Sequence, residues 1–240
     1  GYTFRVIAQN GAGTTTAFGS TASGTTTSPA TVTSSAATSI TTTGATLNGN
    51  VTADGGGNVN DRGFVYKLTA GATISDNKTQ SGSGTGAFTL SPTLTVNTQY
   101  FFKAYAINNA GTTLSSPELS FWTLANTPTA PTVASLTNTT LAVTIGSGDG
   151  NPATTTYAIQ ETTGGLYVQA SGALGASAVY QTAATWGTKT VTGLTASTTY
   201  TFKVIAQNGA NVATAFGATA SGTTSAGPCL TESFAVNALP

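Results

Sequence analysis

The chain has 240 residues, carries seven basic and seven acidic side chains, and lacks His and Met. Only 6% of its residues are charged, so the clustered Lys and Arg that bind nucleic acid or an anionic membrane surface are missing, and both partners are disfavoured. No stretch approaches the roughly 18 consecutive apolar residues of a membrane-spanning helix, so we expect no membrane insertion. Cys229 is the single Cys, which excludes an intrachain disulfide.

The chain begins with a segment that recurs near its end. Residues 2–27 align without a gap to residues 200–225, and 20 of the 26 positions are identical. A more divergent copy starts at Tyr100, and all three copies share the pattern Y-x-[FV]-x-[VA]-x-A-x-N. The spacing predicts units of about one hundred residues, the size of a common β-sandwich. Because the first copy is incomplete and no initiator Met is present, we expect a segment of a longer protein.

Apolar and polar residues alternate with a period of two through most of the chain. This period is typical of strands with one buried face, and no long stretch has the pattern of an amphipathic helix. Thr occupies 53 positions, and β-branched residues favour strands. Clusters of Gly, Asp and Asn predict turns between the runs. In chain order, strands are predicted around residues 2–8, 46–51, 64–68, 88–90, 100–107, 141–145 and 200–206.

Both later copies place a Leu six residues before the Tyr, as Leu94 with Tyr100 and as Leu194 with Tyr200. This is the spacing of a tyrosine corner, in which the hydroxyl bonds an upstream backbone group and fixes the crossing between two sheets. The spacing of the tyrosine corner, the strand period, the Asn that ends the repeated pattern and the length of the unit all agree. In these features the sequence resembles the fibronectin type III family. The resemblance implies an all-β fold of tandem two-sheet β-sandwiches, end to end, with Tyr2 as the equivalent anchor of the first copy.

The repeats and their Pro-containing joints predict four parts. Residues 1–27 are the last strands of a truncated repeat, residues 28–125 and 126–225 are complete repeats, and residues 226–240 are a linker and the start of a following module. The joints are short, and Pro restricts both its own φ and the residue before it, so we expect them to be semi-rigid.

One departure from the family concerns the core. Family members usually carry a Trp in the second strand, and both complete repeats lack one there. We expect Trp122 and Trp186 to supply the missing bulk from other strands.

Few residues are available for chemistry. No His is present as a base, which excludes Ser-His and Cys-His nucleophile systems, and one Cys without His does not provide a zinc site. Paired carboxylates for glycoside hydrolysis would have to come from Asp54 with Asp61 or from Asp149 with Glu161. Because Asp54 and Asp149 lie beside Gly, we interpret them as turn residues. We therefore predict no enzymatic activity, no catalytic residue and no cofactor.

A loop of residues 54–61 offers several oxygen ligands. Its candidate ligands for calcium are Asp54, Asn58, Asn60 and Asp61. The loop lacks the spacing and the terminal Glu of an EF-hand, so a plain turn is the preferred interpretation and calcium the alternative.

Two aromatic residues occupy the outward parity of their predicted strand. Phe101 and Tyr105 alternate with the residues that point to the core, whereas the other copies have Thr and Ile at these positions. In one interpretation, these residues form a cross-strand pair or a face that a neighbouring domain covers. In the other, they form a platform that binds a ligand or glycan.

These observations predict a non-enzymatic spacer in a long repetitive protein, secreted or on the cell surface and of bacterial origin. Its partners would be adjacent repeats or further copies of itself, in a filament or adhesin stalk, because strand edges with so little charge invite lateral association. The alternative is an adhesive or carbohydrate-binding module whose partners are glycans or other surface proteins. A third interpretation makes these repeats accessory to a secreted hydrolase.

Overall fold

The structure, a computed structural model, describes residues 1–228, and the predicted module start at 229–240 lies outside this range. Within the described residues the fold is all-β, as predicted, with 19 strands and one four-residue helix. None of the described helical structure is long and apolar enough to cross a bilayer. The chain divides into two compact units, one made of Gly1–Leu94 with Gln99–Phe121 and the other of Thr95–Thr98 with the chain from Trp122 onward.

The first copy forms a two-stranded antiparallel ribbon, called the N-terminal ribbon below. It consists of β1 (Tyr2–Phe4) and β2 (Ala22–Gly24). Tyr2 and Phe4 remain 61% and 65% exposed, because the described residues supply no second sheet against this face. The ribbon therefore carries a core-forming pattern without a core.

The first sandwich packs a three-stranded sheet against a five-stranded one. The order of the first sheet is β3-β4-β7, and that of the second is β10-β8-β5-β6 with β9 also paired to β8. The strands are β3 (Thr31–Thr38), β4 (Thr46–Ala53), β5 (Asp61–Lys67), β6 (Asn77–Gln80), β7 (Gly86–Leu90), β8 (Gln99–Asn108), β9 (Gly111–Leu114) and β10 (Leu119–Trp122).

Aromatic rings fill most of the first core. The ring of Phe64 lies 5.1 Å from that of Phe88, and the ring of Phe102 lies 5.8 Å from that of Phe121. Phe64 and Tyr66 of β5 face this core as predicted, but Val65 on the opposite face is also buried, the strand ends at Lys67, and Leu68 is exposed. The remaining large aliphatic residues of this core are Val32, Leu47, Val51, Val59 and Leu94.

The second sandwich repeats this plan. Its sheets have the orders β11-β12-β17 and β15-β14-β13-β18-β19, with β16 also paired to β13. The elements are β11 (Thr132–Ser135), β12 (Leu141–Thr144), β13 (Thr156–Glu161), β14 (Tyr167–Val168), β15 (Leu174–Gly175), β16 (Gln181–Thr182), α1 (Ala183–Trp186), β17 (Thr188–Val191), β18 (Thr199–Gln207) and β19 (Ala220–Thr223).

Trp186 is the bulky residue of the second core. It lies at the end of α1, is buried, and donates from Nε1 to the carbonyl of Tyr157 at 2.8 Å. The helix begins after Thr182, whose hydroxyl accepts from the Thr185 amide. Trp186 thus supplies the expected bulk, from a helical turn and not from a strand, while Trp122 is only partly buried.

The N-terminal ribbon and the β18–β19 hairpin have the same register. Tyr2 pairs with Gly24 as Tyr200 pairs with Gly222, and the neighbouring pairs keep the same offset. The contrast lies in burial, because Phe202, the equivalent of Phe4, is completely buried. The two segments are therefore copies of one structural element in different surroundings.

Hydroxyl pairs connect neighbouring strands on the outer face of the β18–β19 hairpin. The side chains of Thr199 and Thr223 lie 2.8 Å apart, as do those of Thr201 and Ser221. Cross-strand hydroxyl contacts of this kind stabilise an antiparallel pair without charged groups.

Candidate functional site

The predicted corner residues lie at the edge of each core. In the second sandwich, Oη of Tyr200 accepts a hydrogen bond from the Thr195 amide at 2.9 Å, and Leu194 is buried beside it. In the first sandwich, Leu94 and Tyr100 are both buried, and the Tyr100 ring stacks on Phe121. The bond at Tyr200 is the one that a tyrosine corner makes.

The Asn that ends each repeated pattern organises a hairpin turn. Oδ1 of Asn108 accepts from the amides of Ala110 and Gly111, and its Nδ2 donates to the carbonyls of Ser28 and Asp54 at 2.8 and 2.7 Å. Sequence reasoning used this Asn only as a marker of the repeat. Its recurrence after the strand was the signal for a structural role, since Asn side chains favour such turns.

Asn208 plays the same role in the second sandwich. Its Oδ1 accepts from the amides of Ala210 and Val212 at 3.1 and 2.9 Å, and its Nδ2 donates to the carbonyl of Thr123 at 3.1 Å. The side chain is almost completely buried. Every polar atom of this carboxamide is therefore used within the fold.

Three of the four predicted calcium ligands line one depression, and the fourth does not. Asp54, Asn58 and Asn60 line an open polar depression of about 520 Å³, but Asp61 is not part of its lining. One carboxylate oxygen of Asp54 accepts from the Gly56 amide at 2.9 Å, as in an ordinary Asx turn. Across residues 1–228, no three His, Cys, Asp or Glu side chains are grouped closely enough to hold a metal ion.

Asp61 belongs to a polar cluster on the outer face of the first sandwich. Lys78 donates to one carboxylate oxygen at 2.6 Å, and Tyr105 donates to the other at 2.8 Å. Burial alone would raise the pKa of Asp61, but the hydrogen bonds from Lys78, Tyr105 and Gln80 outweigh it and lower the pKa. The Asp61 carboxylate is thus committed to structure, which argues against a role as a calcium ligand.

Tyr105 is completely buried, so of the two interpretations left open for this position the exposed binding platform is wrong and a covered face is observed. Its side chain does lie on the opposite face from Phe102, but that face is covered where Tyr105 packs with Val65 and Ala72. Phe101 is partly buried. The two residues therefore form no exposed aromatic platform, and burial together with the bond to Asp61 raises the pKa of the Tyr105 hydroxyl.

The second carboxylate pair considered for catalysis also has structural contacts. Asp149 accepts from the Tyr157 hydroxyl at 2.8 Å and from the side chain and amide of Asn151. Glu161 is buried, and its two oxygens accept from the amides of Thr163 and Gly164 at 2.7 Å. Both carboxylates are therefore used as acceptors within the fold, and the contacts of Asp149 agree with its interpretation as a turn residue.

Arg62 shapes the wall of the depression. Its Nη1 donates to the carbonyls of Gly84, Thr85 and Gly86 at 2.9 to 3.3 Å, and the guanidinium lies 5.1 Å from the ring centre of Phe88. Gly84 and Thr85 also line the depression. Arg62 therefore fixes this loop against the core by hydrogen bonds and a cation–π contact.

The strand order decides the fold. In both sandwiches a three-stranded antiparallel sheet faces a larger one whose central strands are antiparallel neighbours, and the Tyr of the corner starts one of these central strands. Both units are two-sheet antiparallel β-sandwiches, the architecture that the resemblance found in the sequence implied. The predicted fold class is therefore confirmed.

Comparison with solved structures found chains that are similar to this one. A two-domain fibronectin type III segment of chicken tenascin is 14% identical, covers 78% of this chain and 95% of its own length, and has a TM-score of 0.47. The FN1–FN3 domains of chicken CNTN1 are 16% identical over 93% of this chain and 74% of their own, with a TM-score of 0.32. The sensor domain of the anti-sigma factor RsgI4 of Pseudobacteroides cellulosolvens is 22% identical over 41% of this chain and 97% of its own, with a TM-score of 0.31. No family model and no curated protein matches the sequence.

Proposed function

We propose that this chain is a non-enzymatic structural segment of a long repetitive protein that is secreted or displayed on the cell surface of a bacterium. Complete sandwiches would act as spacers that set the distance between other parts of that protein. The observation that carries the proposal is the use of the candidate reactive side chains within the fold. Asp61, Asp149, Glu161 and Tyr105 each have structural partners, which favours a scaffold over a site.

Self-contained cores support a spacer. The buried residues of the first sandwich and those of the second form separate clusters, each built from its own strands. Units that bury their own cores keep their stability when they are connected in series. The chain can then contribute length without depending on a ligand.

A force-extension measurement on the full chain tests this role. Two unfolding events are expected, each releasing a length that corresponds to roughly one hundred residues at about 3.5 Å per residue. The Phe202→Ala substitution removes a buried ring from the second sandwich. That sandwich should then extend at low force without a discrete event of its own, while the unfolding event of the first sandwich remains. Extension without discrete events would contradict a mechanical role.

Association between copies is part of the same proposal. Strand β19 lies at the edge of its sheet and carries no charged residue, whereas edge strand β6 carries Lys78. Uncharged edges favour pairing with another strand. Sedimentation at high protein concentration should show association that weakens in Ser221→Lys, while Thr69→Lys, at an exposed position in the bend after β5 and outside any strand, should leave it unchanged.

The polar depression favours a second candidate, an adhesive or carbohydrate-binding module. Its lining combines a carboxylate, two carboxamides and two hydroxyls, a set that matches the hydroxyl groups of a sugar. A glycan array with the full chain tests it. Saturable binding that is lost in both Asn58→Ala and Ser83→Ala would favour this candidate over the spacer, and the absence of binding would favour the spacer.

A further inference from the structure

A small cavity at the carboxyl end of β18, called the β18 cavity below, brings together polar side chains that the fold leaves unused. Its volume is about 160 Å³, and the residues that line it belong to the second compact unit. None of the described residues in its lining is charged. We propose that this cavity binds one neutral sugar ring. This role goes beyond that of a spacer and concerns a different site from the depression near Asp54.

The lining offers hydrogen-bonding groups that are available to a ligand. Within residues 1–228, five of its side chains have polar atoms that make no hydrogen bond, namely those of Trp122, Thr154, Thr156, Gln207 and Asn211. They supply an indole N–H donor, two hydroxyls and two carboxamides, which together both donate and accept. Such groups bind water in solution, and a sugar hydroxyl can take the place of that water because it also donates and accepts.

The shape of the β18 cavity is held by two buried carboxamides. Nδ2 of Asn97 donates to Oγ1 of Thr155 at 2.7 Å, and its Oδ1 accepts from the Gly209 amide at 3.1 Å. Asn208, also in the lining, has its Oδ1 and its Nδ2 engaged within the fold. A cavity whose walls are already fixed costs a ligand less free energy to order.

Thr156 and Gln207 form a pair of polar groups at a fixed spacing. They are partners in the register of β13 and β18, and the next residues along these strands, Tyr157 and Ala206, belong to the core. Because side chains alternate along a strand, Thr156 and Gln207 leave the sheet together on its outer face. Two adjacent groups of this kind match two neighbouring hydroxyls of a sugar ring.

Trp122 supplies the apolar wall. Its side chain is only partly buried, and its ring packs on Gly209, where an added Cβ would come within 2.3 to 2.5 Å of it. The position of the indole is therefore fixed. A sugar ring has a face of C–H groups and an edge of hydroxyls, so it can pack on the indole and bond the polar groups at the same time.

Charge and size select the class of sugar. A charged sugar would lose its hydration without gaining an ionic partner in the lining, which is unfavourable. The volume is also below the roughly 300 to 1,000 Å³ of pockets that enclose drug-sized ligands, so the space suits a single ring. The expected ligand is thus a neutral monosaccharide unit.

The experiment is titration of the full chain with the methyl glycosides of glucose, galactose, mannose and N-acetylglucosamine, and with glucuronic acid as the charged probe. Trp fluorescence and calorimetry are the two readouts. A neutral glycoside should change the emission of Trp122 saturably, whereas Trp186 is buried and bonded through Nε1 and should not respond. In Trp122→Phe the fluorescence response should disappear, and calorimetry should show weaker binding. No saturable signal with any neutral glycoside, or tighter binding of glucuronic acid, would overturn the proposal.

Variants separate the β18 cavity from the depression. Thr156→Val and Gln207→Ala remove polar atoms that make no bond within the described fold, so each should leave the thermal midpoint unchanged and weaken binding by roughly two- to tenfold. Asn58→Ala and Ser83→Ala, which change the lining of the depression, are the matched controls and should leave the affinity unchanged. Binding that survives Thr156→Val and Gln207→Ala would overturn the proposal, and its loss in the two control variants would favour the depression instead.

Discussion

Phe4 and Phe202 offer a matched test of how much the burial of this Phe contributes to the free energy of unfolding. They occupy the same position in two copies of one hairpin, opposite Ala22 and Ala220, but Phe4 is 65% exposed and Phe202 is completely buried. Truncating a buried Phe to Ala costs about 3 to 5 kcal/mol of the free energy of unfolding, because the lost burial is added to a cavity. The same change at an exposed position costs within about 0.5 kcal/mol.

The assay is urea unfolding followed by far-UV circular dichroism, which reports both compact units, and in parallel by Trp fluorescence, which reports the second unit because Trp122 and Trp186 belong to it. Phe202→Ala should lower the midpoint of the second unit by about 1 M or more at a slope of 1 to 3 kcal/mol/M. Phe4→Ala should leave the midpoints of both units unchanged. If Phe202→Ala does not fold, Phe202→Leu should still lower the midpoint by a smaller amount. Equal effects of the Phe4 and Phe202 changes would refute the assignment of the ribbon as a copy without its core.

Three further outcomes follow from the described contacts. Tyr200→Phe should reduce the free energy of unfolding by about 0.5 to 1.5 kcal/mol through loss of one hydrogen bond, as measured by the same unfolding curve; no change would argue against the corner. The lowered pKa of Asp61 means that its carboxylate stabilises the fold at neutral pH, and that this contribution disappears as the pH falls from an unfolded-state pKa of about 3.9 through the folded-state value. Asp61→Asn should therefore give a flatter acid-unfolding profile by circular dichroism, and a profile as steep as that of the unchanged chain would exclude the linkage. Gly209→Ala should destabilise the second unit by about 1 to 3 kcal/mol because its Cβ meets the Trp122 ring, with Gly11→Ala as the neutral control; tolerance at both positions would contradict the close contact.

The sequence predicted the fold because its signals are local and repeated. The period of two and the spacing between Leu194 and Tyr200 arise within single strands and turns, so they are visible without tertiary information. The outer faces of the sheets were less predictable. Tyr105 has the outward parity, but parity does not reveal that Ala72, from a loop more than thirty residues away, covers that face.

The candidate site depended on partners that are distant in sequence. The sequence places Asp61 in a polar loop, yet its carboxylate accepts hydrogen bonds from Lys78 on β6 and Tyr105 on β8. Only the pairing of β5 with both strands brings these groups together. The sequence therefore identified the residues near Asp54 that line the depression. It did not show that Asp61 lies outside the depression and binds Lys78 and Tyr105 instead.

The distribution of ion pairs gives the two units different responses to salinity. The ion pairs found among residues 1–228 all lie in the first unit, at Lys67 with Asp76, Lys78 with Asp61, and Lys103 with Glu118. The described part of the second unit instead joins its strands through uncharged hydroxyls such as those of Thr199 and Thr223. Dissolved electrolyte weakens attraction between partly exposed charges but not contacts between neutral groups. The stability of the second unit should therefore depend less on screening by salt than that of the first.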